Sequence, residues 1–374
     1  MHPLLSWARA REAEVIGTIG RFVECESPSG DAAALGRFAD LIADTVSESA
    51  KCRKSGQNLL CAFDLPGRKK KGQILALGHL DTVWRLGTIQ SMPFRQAKGR
   101  LWGPGVLDMK SGLAFLMFAA RALRELDMPV SRGLLLQVNC DEETGSAGSR
   151  ALTEANAKRS EAVLVLEPGT GLTGKLKTER KGVGDYRVSV RGIAAHAGVD
   201  FENGASAVVE LAKQIDRISG FTDLRRGITV NPGVISGGTR SNVIAEHAEA
   251  HVDIRIRQLR DAAGLEKKFH SLRAFDKRCS VQVAGGLNRP PMEKSAGGRR
   301  LYRLAQTAAE ELGVTVEESA TGGGSDGNFT AALGVPTLDG LGAAGEGAHA
   351  KHESILVSRI ADRIALLARL ITLI

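Results

Sequence analysis

Along the first half of the chain, stretches with helical spacing of apolar residues alternate with short runs that are apolar throughout. Leu4, Trp7, Ala8, Val15, Ile19 and Phe22 fall on one helical face, which predicts one or two amphipathic helices over 4–23. Ser27-Pro28-Ser29-Gly30-Asp31 supplies a turn and a cap for a helix expected over 32–46. Residues 58–63 read as a strand. So does the run from Ile74, which is too apolar for a solvated face and stops at Gly78-His79-Leu80-Asp81-Thr82-Val83. A glycine-containing loop over 101–112 carries Asp108 just ahead of a helix expected over 113–126. Two further apolar strands end in acid: 133–140 in Asp141-Glu142-Glu143, and 162–166 in Glu167. Buried strands interleaved with helices predict an α/β domain, in which the C-terminal ends of the strands carry the chemistry.

After Leu172 the pattern changes. Residues 183–190 alternate like a half-exposed strand, and 192–198, containing His196, break the alternation. A helix over 205–218, alternating runs over 228–235 and 245–256, a helix over 265–274 and a short strand over 280–284 follow. Strand, helix, strand, strand, helix, strand predicts an α+β sandwich with its helices on one face of a mostly antiparallel sheet. It interrupts the first domain, giving expected limits of 1–176, 177–287 and 288–374. The returning segment has a helix over 299–312, a glycine loop at Thr321-Gly322-Gly323-Gly324-Ser325-Asp326-Gly327-Asn328, two late histidines (His349 and His352) and a closing helix over 358–373.

A length of 374 residues agrees with two cores rather than one. The formal charge of +8 raises nucleic acid as a partner, but the positives are scattered. Their one tight run, Arg68-Lys69-Lys70-Lys71, is framed by Pro66-Gly67 and Gly72 as a solvated turn. Aromatics at 4% are too few for a surface that stacks bases. Neither nucleic acid nor membrane is expected as a partner, because no stretch is long and apolar enough to span a bilayer. Five cysteines without paired short spacing indicate neither a disulfide framework nor a thiolate zinc site. A reducing compartment and a cytoplasmic location are expected, and the N-terminal stretch, broken by Arg9, Arg11, Glu12 and Glu14, makes a poor signal peptide.

Taken singly, each candidate has an ordinary reading: His79 as a core histidine bonded to an aspartate, Asp108 as a helix cap, Asp141-Glu142-Glu143 as a surface turn. Their shared position after apolar strands changes the balance. His79, Asp108, Glu143, Glu167 and one late histidine form a nitrogen and oxygen donor set without thiolate, which suits zinc. A carboxylate shared by two ions suits a two-metal hydrolase, and Glu142, left over beside Glu143, suits a general base.

The ordered segments Gly78-His79-Leu80-Asp81-Thr82-Val83, Gly103-Pro104-Gly105-Val106-Leu107-Asp108-Met109-Lys110, Asp141-Glu142-Glu143, Leu166-Glu167-Pro168, Ala195-His196-Ala197-Gly198 and 345–349 resemble the zinc peptidase family of glutamate carboxypeptidase, acetylornithine deacetylase and succinyl-diaminopimelate desuccinylase. The resemblance implies a catalytic domain with a central mixed sheet flanked by helices, and a ferredoxin-like inserted domain that serves as lid and dimer interface. It implies two zinc ions per subunit, with cobalt or manganese as substitutes: His79 and Glu167 on one, Glu143 and His349 on the other, Asp108 bridging. His349 rather than His352 fits the family spacing. Asp81 would orient His79, Glu142 would act as general base, and His196 would reach the partner subunit's site to stabilise an oxyanion. Asn242, Arg255, Arg289 and Gly324 match positions that hold substrate. A cis peptide is implied at Asp108-Met109. The expected activity is release of a C-terminal amino acid, glutamate first, from a small peptide or N-acyl amino acid by a homodimer. The alternatives are an N-acyl-amino-acid or acetylornithine-type deacetylase, and a non-catalytic binding relative.

Overall fold

Six strands make the central sheet, in the order Ala50–Ser55, Asn58–Phe63, Gly133–Asn139, Gln73–His79, Ser160–Val165 and Thr337–Leu338. The computed structural model describes residues 2–374. The last four strands in that order run parallel, and the Asn58–Phe63 and Ala50–Ser55 hairpin is added antiparallel at one edge, so the sheet is mixed.

Alternation within the apolar strands decides which helices cover which face. Ile74 and Ala76 enter the large core with Leu113 and Leu116 of helix Ser111–Glu125 and Ile364 and Leu367 of helix Ile360–Leu373. Leu75 and Leu77 point the other way, joining Val163, Val165 and Ala157 of helix Arg150–Ala157. A strand buried on both faces has no polar alternation, and this is why Gln73–His79 reads as a continuous apolar run. Helix Ser111–Glu125 lies in the interior and is apolar nearly all round. The chain up to Glu179, with Lys294–Thr321 and Ser325–Ile374, forms this first unit.

The second unit is Arg180–Glu293 with Gly322–Gly324. Its antiparallel sheet has the order Thr229–Gly237, His247–Ile256, Gly182–Arg191, Ser280–Arg289, the ferredoxin-like arrangement of a split strand-helix-strand repeat. Tyr186, Val188, Val190, Ala250, Val252 and Ile254 face helices Ala207–Ser219 and Ala262–His270. Tyr186 stacks on Phe269 at 3.9 Å between ring centroids. The final strand runs five residues past the expected end at Ala284, because Gly285 and Gly286 hide the alternation while the ladder continues to Arg289. Helix Ser111–Glu125 begins two residues before its expected start. Among the described residues no helix is long and apolar enough to cross a membrane.

Candidate metal centre

Three adjacent parallel strands end side by side, and each delivers a side chain to one place. His79 closes the central strand in register with Asn139, and Glu142 and Glu143 follow Asn139 in a single 3-10 turn. Glu167 follows Leu166, whose amide donates to the Leu77 carbonyl at 2.9 Å. A Cβ on Gly78 would stand 2.6 Å from Leu113 Cδ2, so the Leu113 side chain of helix Ser111–Glu125 occupies the space that glycine leaves at the end of the strand.

Asp108 and His349 arrive from outside the central sheet. Strand Ser354–Leu356 pairs with Arg100–Trp102 and with Gly345–Glu346, which lays the hairpin carrying His349 beside the loop carrying Asp108. Helix Ser111–Glu125 has no side-chain cap bond, so Asp108 is not its capping residue. The Asp108-Met109 peptide is cis.

The geometry is that of two overlapping clusters. His79 Nε2 lies 3.2 Å from Asp108 Oδ1 and 3.5 Å from Glu167 Oε1. His349 Nε2 lies 3.5 Å from Asp108 Oδ2 and 3.2 Å from Glu143 Oε1. Asp108 therefore turns one oxygen to each imidazole. Donor atoms of His79, Asp108 and Glu143, and of His79, Glu142 and Glu167, each fall within 4.8 Å of one another. His352 is exposed.

Asp81 is fully buried and holds two elements at once. Its carbonyl accepts from His79 Nδ1 at 2.8 Å, which turns Nε2 toward the acids as the nitrogen a cation would take; the Asp81 carboxylate is farther from Nδ1, at 3.6 Å. The carboxylate instead accepts from the Ser29 hydroxyl at 2.9 Å and from the amides of Glu142 and Glu143, both at 3.1 Å.

Electrostatics supply the test of whether a cation suits the site. Burial would depress the His79 imidazole, yet hydrogen bonds with Asp108 and Glu167 hold it well above its ordinary value. Asp108 and Glu143 push His349 up to about 10. Burial raises Asp108, but His349 and His79 keep it below the usual carboxylate range; burial holds Glu143 above that range. Asp108, Glu142, Glu143 and Glu167 thus draw protons onto two buried or half-buried imidazoles, which is positive charge that divalent cations would replace. Imidazole and carboxylate donors without thiolate fit zinc, and manganese or cobalt after it.

Several residues that shape the site carry no sequence signal of their own. Glu353 is fully buried, and its carboxylate accepts from the amides of Gly105, Leu107 and Asp108 and from Trp84 Nε1. Burial pushes it up to about 7. Asn139 Nδ2 and the Ser146 hydroxyl donate to the two oxygens of Asp326, at 2.6 and 2.5 Å, tying the glycine loop to the turn that carries Glu142 and Glu143.

In the second unit His196 is exposed, and its Nδ1 accepts from the amides of Gly198 and Val199 at 3.1 and 3.2 Å. Its proton is thereby assigned to Nε2, which is left as an outward donor. The Asn242 carbonyl accepts from the Ala197 amide, next to His196. Arg255 makes a two-pronged ion pair with Asp253, Nε to Oδ1 at 2.9 Å and Nη2 to Oδ2 at 2.8 Å. Its third nitrogen reaches the Gly322 carbonyl at 3.4 Å. Arg180, absent from the sequence-based set, donates to the carbonyls of Gly323 and Gly324 at 3.1 and 3.0 Å. A Cβ on Gly324 would meet Val183 Cγ2 at 2.8 Å and Arg289 Cδ at 3.0 Å, so the loop lies close against both side chains.

Residues 75–373 match the model of peptidase family M20/M25/M40. Carboxypeptidase G2 of Pseudomonas sp. (strain RS-16) is 31% identical, covering 98% of this chain and 91% of that protein. Succinyl-diaminopimelate desuccinylase of Paracoccus denitrificans is 27% identical, covering 83% and 85%. Among solved structures, aminopeptidase PepT of Bacillus cereus superposes with a TM-score of 0.80 at 23% identity, covering 96% of this chain and 98% of that one. With a family model over most of its length and a full-length relative above 30% identity, the chain belongs to peptidase family M20/M25/M40.

Proposed function

We propose that this chain is a two-zinc carboxypeptidase that hydrolyses an amide bond and releases a C-terminal amino acid, glutamate first, from a small peptide or N-acyl conjugate. The observation that carries the reading is the two-sided Asp108, whose oxygens lie 3.2 and 3.5 Å from different imidazoles. His79 and Glu167 would hold one ion, His349 and Glu143 the other, with Asp108 between them. Zinc bound there supplies electrophilic activation of the scissile carbonyl and of water.

The chain's own groups do the rest. Glu142 accepts the proton of the attacking water and hands it to the leaving amine, so one carboxylate serves as base and then as acid. Asp81 fixes the backbone of Glu142 and the ring of His79 together, and so acts by positioning. His196 of the partner subunit, in a homodimer, donates Nε2–H to the developing oxyanion, a role favoured by the two amides that occupy its Nδ1. Asn242, Arg255, Arg289 and the Gly324 loop bind the released residue's carboxylate, for which a guanidinium fork is suited.

The carboxypeptidase relative favours cleavage on the amino-acid side, and the desuccinylase relative favours the second reading, removal of an acyl group. A panel of N-acyl glutamates, N-acetyl amino acids, N-succinyl amines and dipeptides, assayed with zinc-loaded enzyme, separates them. The first reading expects activity to follow the C-terminal residue whatever the acyl group. Activity that follows the acyl group and ignores the C-terminal residue would overturn it.

A further inference from the structure

At the free edge of the central sheet, strand Ala50–Ser55 pairs with Asn58–Phe63 so that Cys52 stands directly opposite Cys61. The hairpin closes through the two-residue loop Gly56-Gln57, with Ser55 opposite Asn58 as its closing pair. Counting outward from a closing pair, every second pair lacks direct hydrogen bonds, and Cys52–Cys61 is such a pair. Side chains approach most closely in those pairs, at a Cα separation of about 4.5 Å, inside the range a disulfide needs. Both cysteines are thiols. Cys61 is fully buried in the core that helix Ala32–Thr45 also enters, whereas Cys52 is partly open to solvent at the sheet edge.

We propose that Cys52 and Cys61 are an oxidisable dithiol, a modification site that a low-molecular-weight disulfide closes into a cross-strand bond. The half-open Cys52 is the attacking sulfur and the buried Cys61 the resolving one. Cys52 loses its proton to solvent and attacks the small disulfide, forming a mixed disulfide and expelling one thiolate. Cys61 then attacks Cys52 Sγ, and the second small thiolate leaves carrying the Cys61 proton. Two protein thiols are oxidised to one disulfide, and the reagent is reduced to two thiols. The facing Cys61 thiol holds Cys52 below the ordinary thiol value, which favours this division of roles. Exposed Lys51 and Arg53 flank Cys52 in sequence but lie on the opposite face of the strand, and oxidised glutathione serves as the small disulfide. This inference is independent of the metal centre.

The test treats the native full chain with oxidised glutathione, quenches with an alkylating reagent and maps peptides by mass spectrometry. Expected is a linked peptide pair containing Cys52 and Cys61, with about 2 Da lost from the intact chain and two fewer alkylatable thiols after denaturation. Cys25, Cys140 and Cys279 serve as internal references. Cys52→Ser, at the open position, removes the linked pair. A wild-type chain that keeps all its thiols, or that accumulates a lasting glutathione adduct on Cys52 without a Cys61 link, would overturn the proposal.

Discussion

Glu353 grips the main chain on which Asp108 sits: its Oε1 accepts from the Asp108 amide at 3.1 Å and from the Leu107 amide at 2.8 Å. Its other oxygen takes the Gly105 amide at 2.9 Å and Trp84 Nε1 at 2.8 Å. A buried carboxylate thus satisfies four donors and fixes the direction of the one aspartate that faces both histidines. In Glu353→Gln an amide NH2 would meet backbone N–H groups, leaving a buried donor without an acceptor at a cost of about 1–3 kcal/mol. Metal affinity, read by competition with a chelator, is expected to fall about 10–100-fold. Circular dichroism reports whether the fold persists. Wild-type affinity in a folded variant would show that the loop is held without Glu353.

In the proposed mechanism Glu142 separates proton transfer from metal binding. Glu142→Gln should keep the wild-type metal content while kcat drops by about 10²–10⁴-fold, the usual worth of a positioned acid–base group. Elemental analysis and steady-state rates on the same sample decide this. Near-normal turnover would remove the base role.

His196 can be tested by mixing subunits. His196→Ala should lower kcat by about 10²–10³-fold with little change in KM, as expected for a donor that acts on the transition state. Unfolding both His196→Ala and Glu142→Gln chains and refolding them together should recover part of the activity, because a mixed dimer carries one intact site. No recovery, with mixed dimers shown to form, would place the histidine's action within its own subunit.

Glu210 gives the second unit a pH signature. Its carboxylate is buried and accepts from Gln214 at 2.7 Å and from the amides of Phe275 and Asp276, both at 3.0 Å. Burial raises it, but Gln214 and the two amides hold it below its ordinary value in the folded chain. A depressed carboxylate stabilises the fold above its unfolded pKa of about 4.3, and that contribution fades as pH falls through the lower folded value. Glu210→Gln should therefore cost about 1–3 kcal/mol at neutral pH in urea titrations, with the gap to wild type shrinking below about pH 4. A gap that stays constant down to acid pH would contradict this.

The elements that carry His79, Glu142, Glu143 and Glu167 are legible in the sequence because their strands are apolar throughout and then stop in titratable residues, a pattern that a half-solvated strand does not produce. The parallel order of those strands follows from the helices between them. Asp108 and a late histidine enter the donor set on chemistry, but the bridging place of Asp108 and the choice of His349 over His352 are legible only through the resemblance, since the sheet that joins their loops has strands of two and three residues, too short to show a period. Glu353 escapes because its partners are mostly main-chain amides, which any sequence possesses. Arg180 escapes because its acceptors are glycine carbonyls far away in sequence. The edge strand Ala50–Ser55 alternates weakly and is not expected from the sequence, so the facing of Cys52 and Cys61, nine residues apart, is invisible until the register is known.

The shared position of Asp108 is tested most directly by anomalous diffraction at the zinc edge from crystals of the zinc-loaded chain. Two peaks per subunit are predicted, one beside His79 and Glu167, the other beside His349 and Glu143, each with an Asp108 oxygen within bonding distance of about 2.0–2.2 Å. A single peak, or two peaks with Asp108 bound to neither, would contradict the account.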